Sequence, residues 1–400
     1  MKILCISNYY PPFFEGGYEI SVKESMDYLI NRGYEVYILC GNKGTEYNSS
    51  NNAKLFLPEE PKRILHYIDY SNPSFFDKHN VEKHNYHATI NALSAIQPHL
   101  VYFGNQKAIS IAPVLAVQKL KFPRVFDIGD IWPDSYIKSD LKSRMYRFLK
   151  MILPGTIGGH IHLDPIIVVS YWMRREMAQR YKSKRIYQIP RGIDLPPENT
   201  RVLKKPLRFI FAGRIEPNKG LDLCIQATSR VLAEYQDFCI DVYGEEDPIY
   251  ANKCKDQINK FHLQQQIRFL GKTQNIHNVL PQYDVLLMPT MAKEAFGRII
   301  IEAMAHSLIV IATDAYGPKE ILLSKQNGVL FKRGSAAALA TAILELLQMK
   351  LSQLEIIRKQ ARLTVAQNYE INLVKKKLVY ILESIVNDPN TLKEENHGTS

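Results

Sequence analysis

The sequence predicts an α/β protein made of two domains, each built around a parallel β-sheet. Its 400 residues exceed what one ordinary hydrophobic core needs, and chains of this length usually divide into domains. Short apolar runs of strand length alternate with longer segments of helical periodicity, which is typical of parallel sheets covered by helices. A proline-rich stretch at residues 189–198 interrupts this alternation, and the alternation then begins again.

The first domain begins with a predicted buried strand at residues 2–8, followed by a loop that ends at Gly16 and Gly17. A helix then runs to Gly33, and residues 35–40 form the second strand. Strand, loop, helix and strand in this order begin a right-handed βαβ unit. The loop lacks the G-x-G-x-x-G pattern of a dinucleotide site. Further strands are predicted at residues 99–103, 124–128, 166–170 and 185–189.

The second domain repeats the pattern with a strand at residues 208–212. The loop after this strand, residues 213–220, carries Arg214 and Lys219. The planar fork of an arginine and the point charge of a lysine together suit a diphosphate group. Two solvated basic residues are the alternative. Further strands are predicted at residues 238–243, 267–270, 284–288, 308–313 and 328–331, and helices at residues 335–386.

The strand at residues 284–288 leads into the most informative stretch of the chain. Glu294 lies in the loop at its carboxyl end, where open α/β sheets bind their ligands. Gly297 lets the backbone approach a ligand, and the free amides of a helix start favour an anion. Glu302 lies about one and a half turns into the following helix. The residues predicted to form the buried stripe of this helix are Ile299, Ile300, Ala303 and Met304.

The two glutamates also have a purely structural interpretation. Glu302 would then be a solvated helix residue, and Glu294 an acidic group that interacts with the positive end of the helix dipole. The residues alone leave both interpretations open.

Glu294 and Glu302 have seven residues between them, including Phe296 and Gly297. This spacing resembles the paired-glutamate signature of retaining GT-B glycosyltransferases, specifically glycosyltransferase family 4. The Gly-Arg…Lys-Gly loop at residues 213–220 resembles the same family. The resemblance implies two Rossmann-like domains that face each other across a cleft, the GT-B fold. It further implies that the C-terminal domain binds a nucleotide-diphosphate sugar and that the N-terminal domain binds a glycan or lipid-linked acceptor.

The resemblance also implies roles for individual residues. Arg214, Lys219 and the helix start near Gly297 would stabilise the leaving phosphate. Glu294 would bind hydroxyls of the sugar, and Glu302 the ribose. Attack from the side of the leaving group needs no nucleophilic carboxylate, and the leaving phosphate would accept the proton of the acceptor. The implied binding residues for the nucleotide sugar are Gly16, Gly17, Arg214, Lys219, Glu294, Phe296, Gly297, Arg298, Ile299 and Glu302.

Asp130 completes the implied catalytic set with Glu294, Arg214 and Lys219. It follows the strand at residues 124–128, where many relatives carry a His-Asp pair. Gly129 stands here in place of the histidine. The alternative is that Asp130 and the nearby Asp134 cap the helix that follows.

The resemblance and the proline-rich stretch together predict the domain boundaries. The acceptor-side domain would span residues 1–195 and the nucleotide-sugar domain residues 196–366. A helix at residues 367–386 would cross back to the first domain, and residues 387–400 would form a disordered tail.

The formal net charge of +11 favours anionic partners such as nucleotide phosphates or an acidic membrane surface. The chain carries no nucleic-acid recognition motif, so nucleic acid is not an expected partner. It also contains no Asp-x-Asp sequence, so a metal clamp on the diphosphate is not expected. No cofactor is expected either. The five cysteines are widely spaced and odd in number, which indicates reduced thiols in the cytoplasm.

Residues 138–152 predict a basic amphipathic helix. Such a helix lies on an anionic membrane surface or packs on its own sheet, and the sequence leaves both open. Peripheral membrane association is therefore an alternative to a purely cytoplasmic location. The apolar face of the helix would consist of Leu141, Met145, Phe148, Leu149 and Ile152.

The cluster of His160, His162 and Asp164 has the composition of a metal site. A loop with hydrogen-bonded histidines is the favoured interpretation, because one short cluster carries little information.

For the whole chain, two functions compete with glycosyl transfer. One is a GT-B nucleotide-sugar epimerase, which needs no acceptor, and the other is a non-catalytic scaffold that binds nucleotides or membranes.

Overall fold

The structure is a computed structural model. It describes residues 1–13, 16–42, 56–68, 75–133, 157, 160–181, 183–198 and 201–388. The helix predicted at residues 138–152 lies outside the described residues, as do Asp134 and residues 389–400 of the predicted tail. The chain divides into two compact units. The first comprises Met1–Val169, Met173–Ile189 and Lys375–Ser400, and the second comprises Ser170–Trp172 and Pro190–Val374.

The first unit contains a parallel sheet of seven strands in the order β3-β2-β1-β4-β5-β6-β7. Apolar residues at consecutive positions bury both faces of its central strands, and Ile3, Leu4 and Ile6 are fully buried. The strands are β1 (Lys2–Ser7), β2 (Glu35–Gly41), β3 (Pro61–Leu65), β4 (Leu100–Phe103), β5 (Arg124–Ile128), β6 (Ile166–Val168) and β7 (Ile186–Gln188).

Strand β3 is the described strand of this sheet that the sequence did not predict. It lies at the edge and begins with Pro61, and only Ile64 and Leu65 supply apolar side chains. Edge strands tolerate proline and charged residues because one side of the strand makes no ladder hydrogen bonds. The hydrophobic pattern of β3 is therefore too weak to recognise.

The second unit contains a parallel sheet of six strands in the order β10-β9-β8-β11-β12-β13. The chain passes from β8 to β9, which is the neighbour of β8 on one side, and β11 pairs with β8 on the other side. The loops after β8 and β11 therefore meet at the point where the strand order reverses, which is where such sheets bind ligands. The strands are β8 (Phe209–Ala212), β9 (Ile240–Tyr243), β10 (Ile267–Gly271), β11 (Val285–Met288), β12 (Ile309–Thr313) and β13 (Val329–Phe331).

Helices cover these sheets as the apolar periodicity predicts. The described α-helices of the first half are α1 (Gly17–Asn31), α2 (Phe75–Ile96), α3 (Ala112–Lys119) and α4 (Tyr171–Tyr181). Those that follow are α5 (Leu221–Val231), α6 (Pro248–Lys260), α7 (Arg298–Ala305), α8 (Tyr316–Ile321), α9 (Ala336–Gln348), α10 (Leu351–Asn368) and α11 (Ile371–Asn387).

The buried face of α7 differs from the predicted stripe. Ile300, Ala303 and Met304 are fully buried as predicted, but Ile301 is fully buried as well and Ile299 is only half-buried. Helix α7 packs against α10 in addition to its own sheet, and a second apolar contact widens the buried face. The predicted stripe is therefore confirmed at Ile300, Ala303 and Met304, and Ile299 is its partly buried member.

Candidate active site

The loop after β8, residues 213–220, is shaped by glycine at close backbone approaches. Gly220 has a φ of +74°, and a Cβ there would lie 2.2 Å from the carbonyl oxygen of Pro289. A Cβ on Gly244 would lie 1.8 Å from the carbonyl oxygen of Gly213. Only glycine tolerates such approaches without a shift of the backbone. The loop after β8 therefore lies directly against the residue that follows β11.

Hydrogen bonds to Asn218 join the loops after β8 and β11. The carbonyl oxygen of Asn218 accepts from the backbone amides of Met291 at 2.8 Å and Ala292 at 3.1 Å. The hydroxyl of Thr290 donates to the same oxygen at 3.1 Å. Sequence reasoning missed this role of Asn218, because a backbone acceptor leaves no signal in the residue type.

Lys219 and Glu294 form an ion pair between the same two loops. The Nζ of Lys219 donates to Oε2 of Glu294 at 2.9 Å, with side-chain exposures of 27% and 20%. A half-shielded pair of this kind interacts more strongly than one in open solvent. The structure thus brings together two of the sequence-predicted catalytic residues.

Helix α7 begins beside this pair. The N-cap residue Gly297, directly before the helix, has a φ of +92°, and a Cβ there would lie 3.0 Å from Cδ1 of Ile300 and 3.1 Å from Cε of Met288. Phe296 is buried and packs edge-to-face on Tyr369, with ring centroids 5.7 Å apart. The helix start is therefore held in one position. The first amides of a helix have no intrahelical acceptor and attract anions.

Arg298 and Glu302 form a second ion pair, within α7. The Nε of Arg298 donates to Oε1 of Glu302 at 2.8 Å, and both side chains are nearly buried, with exposures of 13% and 12%. The spacing of four residues places the two side chains on neighbouring turns of one helix face. Glu302 is thus an ion-paired and buried carboxylate. This overturns the alternative in which it is a solvated helix residue.

Arg214 has a different environment from Lys219. Its Nη2 lies 3.1 Å from Oε1 of Glu216 on its own loop, and the Arg214 side chain is 58% exposed. An exposed ion pair of this kind contributes little to stability, so the arginine can readily exchange Glu216 for another partner. Arg214 is thus exposed to solvent just after the end of β8.

The structure places Gly16 and Gly17 at the start of α1 in the first unit. Gly16 is the residue before the helix, and its amide donates to Oε2 of Glu19 at 3.1 Å. The backbone of Gly16 is extended, and a Cβ there would meet nothing within 4 Å. Neither conformation nor packing within the described residues therefore requires glycine at position 16.

Asp130 lies shortly after β5 in the first unit and is exposed. Its Oδ1 accepts from the amide of Trp132 at 2.7 Å, and its Oδ2 lies 3.5 Å from Nδ2 of Asn105. Asn105 in turn accepts from Nδ2 of Asn8 at 3.2 Å. Asn8 and Asn105 follow β1 and β4, so three neighbouring strands each supply a polar side chain at one edge. Neither asparagine was predicted as a site residue, although Asn8 ends the predicted first strand and Asn105 follows the predicted strand at residues 99–103.

Asp164 of the former metal-like cluster has a structural role. Its Oδ2 accepts from Nε of Arg185 at 2.8 Å, and its Oδ1 accepts from Oγ of Ser183 at 2.6 Å. Burial is the largest single influence on the pKa of this carboxyl and raises it. The hydrogen bonds from Ser183 and Arg185 together outweigh burial, so the pKa lies below its ordinary value. His160 and His162 lie in an irregular segment, as the loop interpretation predicted. In the part of the chain that the structure describes, no group of three or more metal-ligating side chains is assembled.

His306 follows the carboxyl end of α7 and is buried. Its Nε2 lies 3.1 Å from Nδ1 of His277. Burial, then the neighbouring His277, then Arg362 lower the pKa of His306 to about 4. The helix that carries Glu302 therefore ends on a neutral imidazole at physiological pH.

Two protein-family models match consecutive segments of the chain. Residues 15–196 match the model described as Glycosyltransferase Family 4, and residues 196–364 match the model described as Glycosyl transferases group 1. The two matches meet at the proline-rich stretch between the two predicted domains.

Curated relatives match over shorter segments. A phosphatidyl-myo-inositol mannosyltransferase of Mycobacterium leprae is 25% identical over 227 residues, which cover 55% of this chain and 59% of the relative. A putative colanic acid biosynthesis glycosyltransferase of Salmonella typhimurium is 25% identical over 204 residues, 48% of this chain and 50% of the relative. The chain thus spans about half the length of these curated relatives.

Solved structures resemble almost the whole chain. A glycosyltransferase from Rickettsia africae has a TM-score of 0.69 at 21% identity and covers 97% of this chain and 99% of its own. HepE of Anabaena, solved in complex with UDP, has a TM-score of 0.71 at 18% identity and covers 96% and 100%. At these identities the similarity establishes the fold. None of the described helices is long and apolar enough to cross a membrane.

The two parallel sheets and these structural neighbours confirm the predicted GT-B fold. With two glycosyltransferase family models matched in succession along the chain, this fold supports a GT-B glycosyltransferase.

Proposed function

We propose that this protein is a retaining glycosyltransferase of family 4, which transfers a sugar from a nucleotide-diphosphate sugar to an acceptor. The acceptor would be a glycan or a lipid-linked glycan in cell-surface polysaccharide or lipid-linked glycan assembly. One observation carries the proposal. The Lys219–Glu294 ion pair lies beside the start of α7, where the loops after β8 and β11 meet.

The chemistry of this position suits a nucleotide sugar. A helix start and a lysine attract a diphosphate, and a carboxylate beside them accepts hydrogen bonds from sugar hydroxyls. Among the structural neighbours, HepE is solved with UDP and with UDP-glucose, which supports a nucleotide-sugar donor for this chain.

Arg214 and Lys219 would bind the diphosphate, with backbone groups from Phe296 to Ile299 around it. Glu294 would select the sugar, and Glu302, oriented by Arg298, would bind the ribose. In the first unit, Gly16 and Gly17 would leave space for the donor phosphates or the acceptor. Asp130 would act near the transferred sugar.

The reaction would proceed without a metal ion and with retention at the anomeric carbon. Negative charge grows on the outer phosphate as the glycosidic bond breaks, and Lys219, Arg214 and the α7 amides would stabilise it. The departing phosphate would then take the proton of the acceptor hydroxyl, which attacks on the same face.

Thermal unfolding in the presence of UDP, GDP, ADP and their common sugar conjugates tests the donor site. A ligand at 100 times its Kd raises the free energy of unfolding by about 2.7 kcal/mol, so one nucleotide series should raise the Tm clearly. Lys219→Ala should reduce the shift, because Arg214 and the α7 amides would still bind the diphosphate, whereas Lys325→Ala should retain it in full. Lys325 pairs with Glu345 at 3.0 Å in the same unit and is the matched control. If no nucleotide raised the Tm of the wild type, the proposed donor site would be wrong.

A turnover assay with the stabilising donor separates the remaining functions. Release of nucleotide that depends on an acceptor, with an α-linked product from an α-linked donor, supports retaining transfer. Conversion of the donor without any acceptor indicates an epimerase. Binding without turnover across an acceptor panel indicates a scaffold.

We also propose a cytoplasmic location with peripheral attachment to an anionic membrane through residues 138–152. Changing Lys142, Arg144, Arg147 and Lys150 together to glutamine should weaken binding to vesicles that contain phosphatidylglycerol. Each basic residue near such a surface contributes about 1 kcal/mol. Unchanged vesicle binding, with nucleotide binding also unchanged, would rule out this attachment.

A further inference from the structure

Arg333 lies in the loop after β13 and contacts the loop that carries Glu294. Its Nη2 donates to the carbonyl oxygen of Met291, three residues before Glu294. Its backbone amide donates to Oδ1 of Asp314, which follows β12, at 3.0 Å. One arginine thus connects the loops after β11, β12 and β13.

Tyr316 covers the guanidinium group of Arg333. The centre of the guanidinium lies 5.4 Å from the centroid of the Tyr316 ring, within the range of a cation–π contact. On another side, the ring meets Trp172 of the same compact unit edge-to-face, with centroids 5.0 Å apart. The arginine is therefore held between a carbonyl oxygen and an aromatic ring.

The backbone of Tyr316 is strained. Its φ of +56° lies in the left-handed region, which a bulky side chain rarely occupies. Such a conformation persists only where the surrounding structure holds it, and it is enriched at functional sites. Glycine would adopt this φ without strain, so the strain at position 316 accompanies the ring that contacts Arg333 and Trp172.

The residue after Tyr316 packs directly on the Glu294 loop. The amide of Gly317 donates to the carbonyl oxygen of Glu294 at 2.9 Å. A Cβ on Gly317 would lie 2.6 Å from the carbonyl oxygen of Ala295. A displacement of Tyr316 would therefore reach the backbone of Glu294 itself.

One polar atom of the Arg333 side chain destabilises the folded state. Its Nε is buried and has no hydrogen-bond partner among the described residues. A buried donor without a partner destabilises the folded state unless another interaction of the same group compensates. The contacts with Met291 and Tyr316 are the described interactions that offset it. A lysine has no planar fork and cannot make both in the same geometry.

We propose that Arg333 and Tyr316 are positioning residues that hold the Glu294 loop against the donor sugar. Arg333 acts through the carbonyl of Met291, and Tyr316 acts through Arg333 and through the backbone of Gly317. The catalytic consequence rests on the proposed function, whereas the effect on the loop does not.

Hydrogen exchange in the full chain without ligand tests the effect on the loop. The peptide that covers residues 289–297 should exchange about tenfold faster in Arg333→Met and in Tyr316→Gly than in the wild type. Tyr316→Phe keeps the ring and the φ, so its exchange should match the wild type. Arg268→Met is the matched control. It removes an arginine that pairs with Asp241 in the same sheet, and it should leave this peptide unchanged.

The two tyrosine variants separate positioning from overall stability. Tyr316→Gly removes the ring but relieves a backbone strain of about 1–2 kcal/mol, so faster exchange should be confined to the peptide of residues 289–297 and should not extend across the sheet. If Arg333→Met does not fold, Arg333→Lys replaces it and should give the same local increase. Exchange of this peptide within twofold of the wild type in Tyr316→Gly and in the arginine variant would overturn the proposal.

Kinetics with the donor identified by thermal unfolding test the catalytic consequence. Misplacement of a reacting group by about 1 Å costs about 10²-fold in rate. Arg333→Met and Tyr316→Gly should therefore lower kcat by about that factor and leave the donor KM within about threefold of the wild type. Tyr316→Phe should keep the kcat of the wild type. If the wild type turned over no donor, the proposed function would fail and the exchange result would still stand. Faster exchange with an unchanged kcat would reject the role in positioning.

Discussion

The amine of Lys219 lies 2.9 Å from Oε2 of Glu294, although the two residues are 75 positions apart in the sequence. Their loops meet because β8 and β11 are neighbours in the sheet. Without a donor, the lysine neutralises the carboxylate. A bound diphosphate would share the lysine with the carboxylate, and the carboxylate would then be available to the sugar hydroxyls.

Lys219→Ala should lower kcat by about 10²–10³-fold. This is the typical loss when one preorganised hydrogen-bond donor to a developing negative charge is removed. The KM of the acceptor should change little, because the lysine would act on charge that grows in the transition state. Steady-state kinetics beside the Lys325→Ala control provide the measurement. A kcat of Lys219→Ala within a few-fold of the wild type would remove Lys219 from the catalytic set.

Glu294→Ala should reduce discrimination between donor sugars as well as the rate. A site that hydrogen-bonds a sugar hydroxyl rejects a sugar that lacks this hydroxyl, and this preference disappears with the carboxylate. The ratio of kcat/KM for two donors that share one nucleotide measures the effect. Lys219→Ala should leave this ratio unchanged. If Glu294→Ala also left it unchanged, Glu294 would not contact the sugar.

Activity should survive removal of divalent metal ions, because the proposed clamp on the diphosphate consists of Arg214, Lys219 and the α7 amides. The comparison is turnover before and after treatment with EDTA. A loss of activity that magnesium or manganese restored would contradict a metal-independent mechanism.

His306 should make the folded state less stable in acid. Its pKa is lowered to about 4 in the folded state from 6.5, so the unfolded chain binds the proton more tightly. Its contribution is complete above about pH 6.5 and is lost as the pH falls towards 4. At 1.36 kcal/mol per pH unit, the shift corresponds to about 3 kcal/mol.

His306→Gln is the variant that measures this contribution, because glutamine does not titrate. The free energy of unfolding of the variant should fall less steeply than that of the wild type between pH 6.5 and pH 4. Equal slopes for the two proteins would show that His306 does not carry this acid sensitivity.

Gly220→Ala should destabilise the protein more than Gly271→Ala does. Both glycines have left-handed φ angles, +74° and +76°, but only at Gly220 would a Cβ meet a backbone oxygen at 2.2 Å. The left-handed conformation alone costs about 1–2 kcal/mol for an L-residue. Chemical denaturation measures the difference between the two variants. Equal losses would mean that the loop after β8 moves to accommodate the methyl group.

Much of the fold follows from local patterns in the sequence. The apolar runs predicted all described strands except β3, within a few residues of their observed bounds. All six strands of the second sheet were predicted. Gly297 and the glutamates on either side of it were recognisable because a strand, a loop and a helix follow one another there. Edge strand β3 escaped because Pro61 and its charged neighbours leave too little hydrophobic alternation.

The partners of the candidate site residues were decided by the tertiary structure. The sequence placed Lys219 and Glu294 in two loops, but only the adjacency of β8 and β11 made them an ion pair. The left-handed Tyr316 and the reach of Arg333 to Met291 are likewise invisible in the chain, because they depend on three loops that meet at one sheet edge. Hydrophobic periodicity is a local property and determines secondary structure. The contacts of charged side chains depend on which distant strands become neighbours.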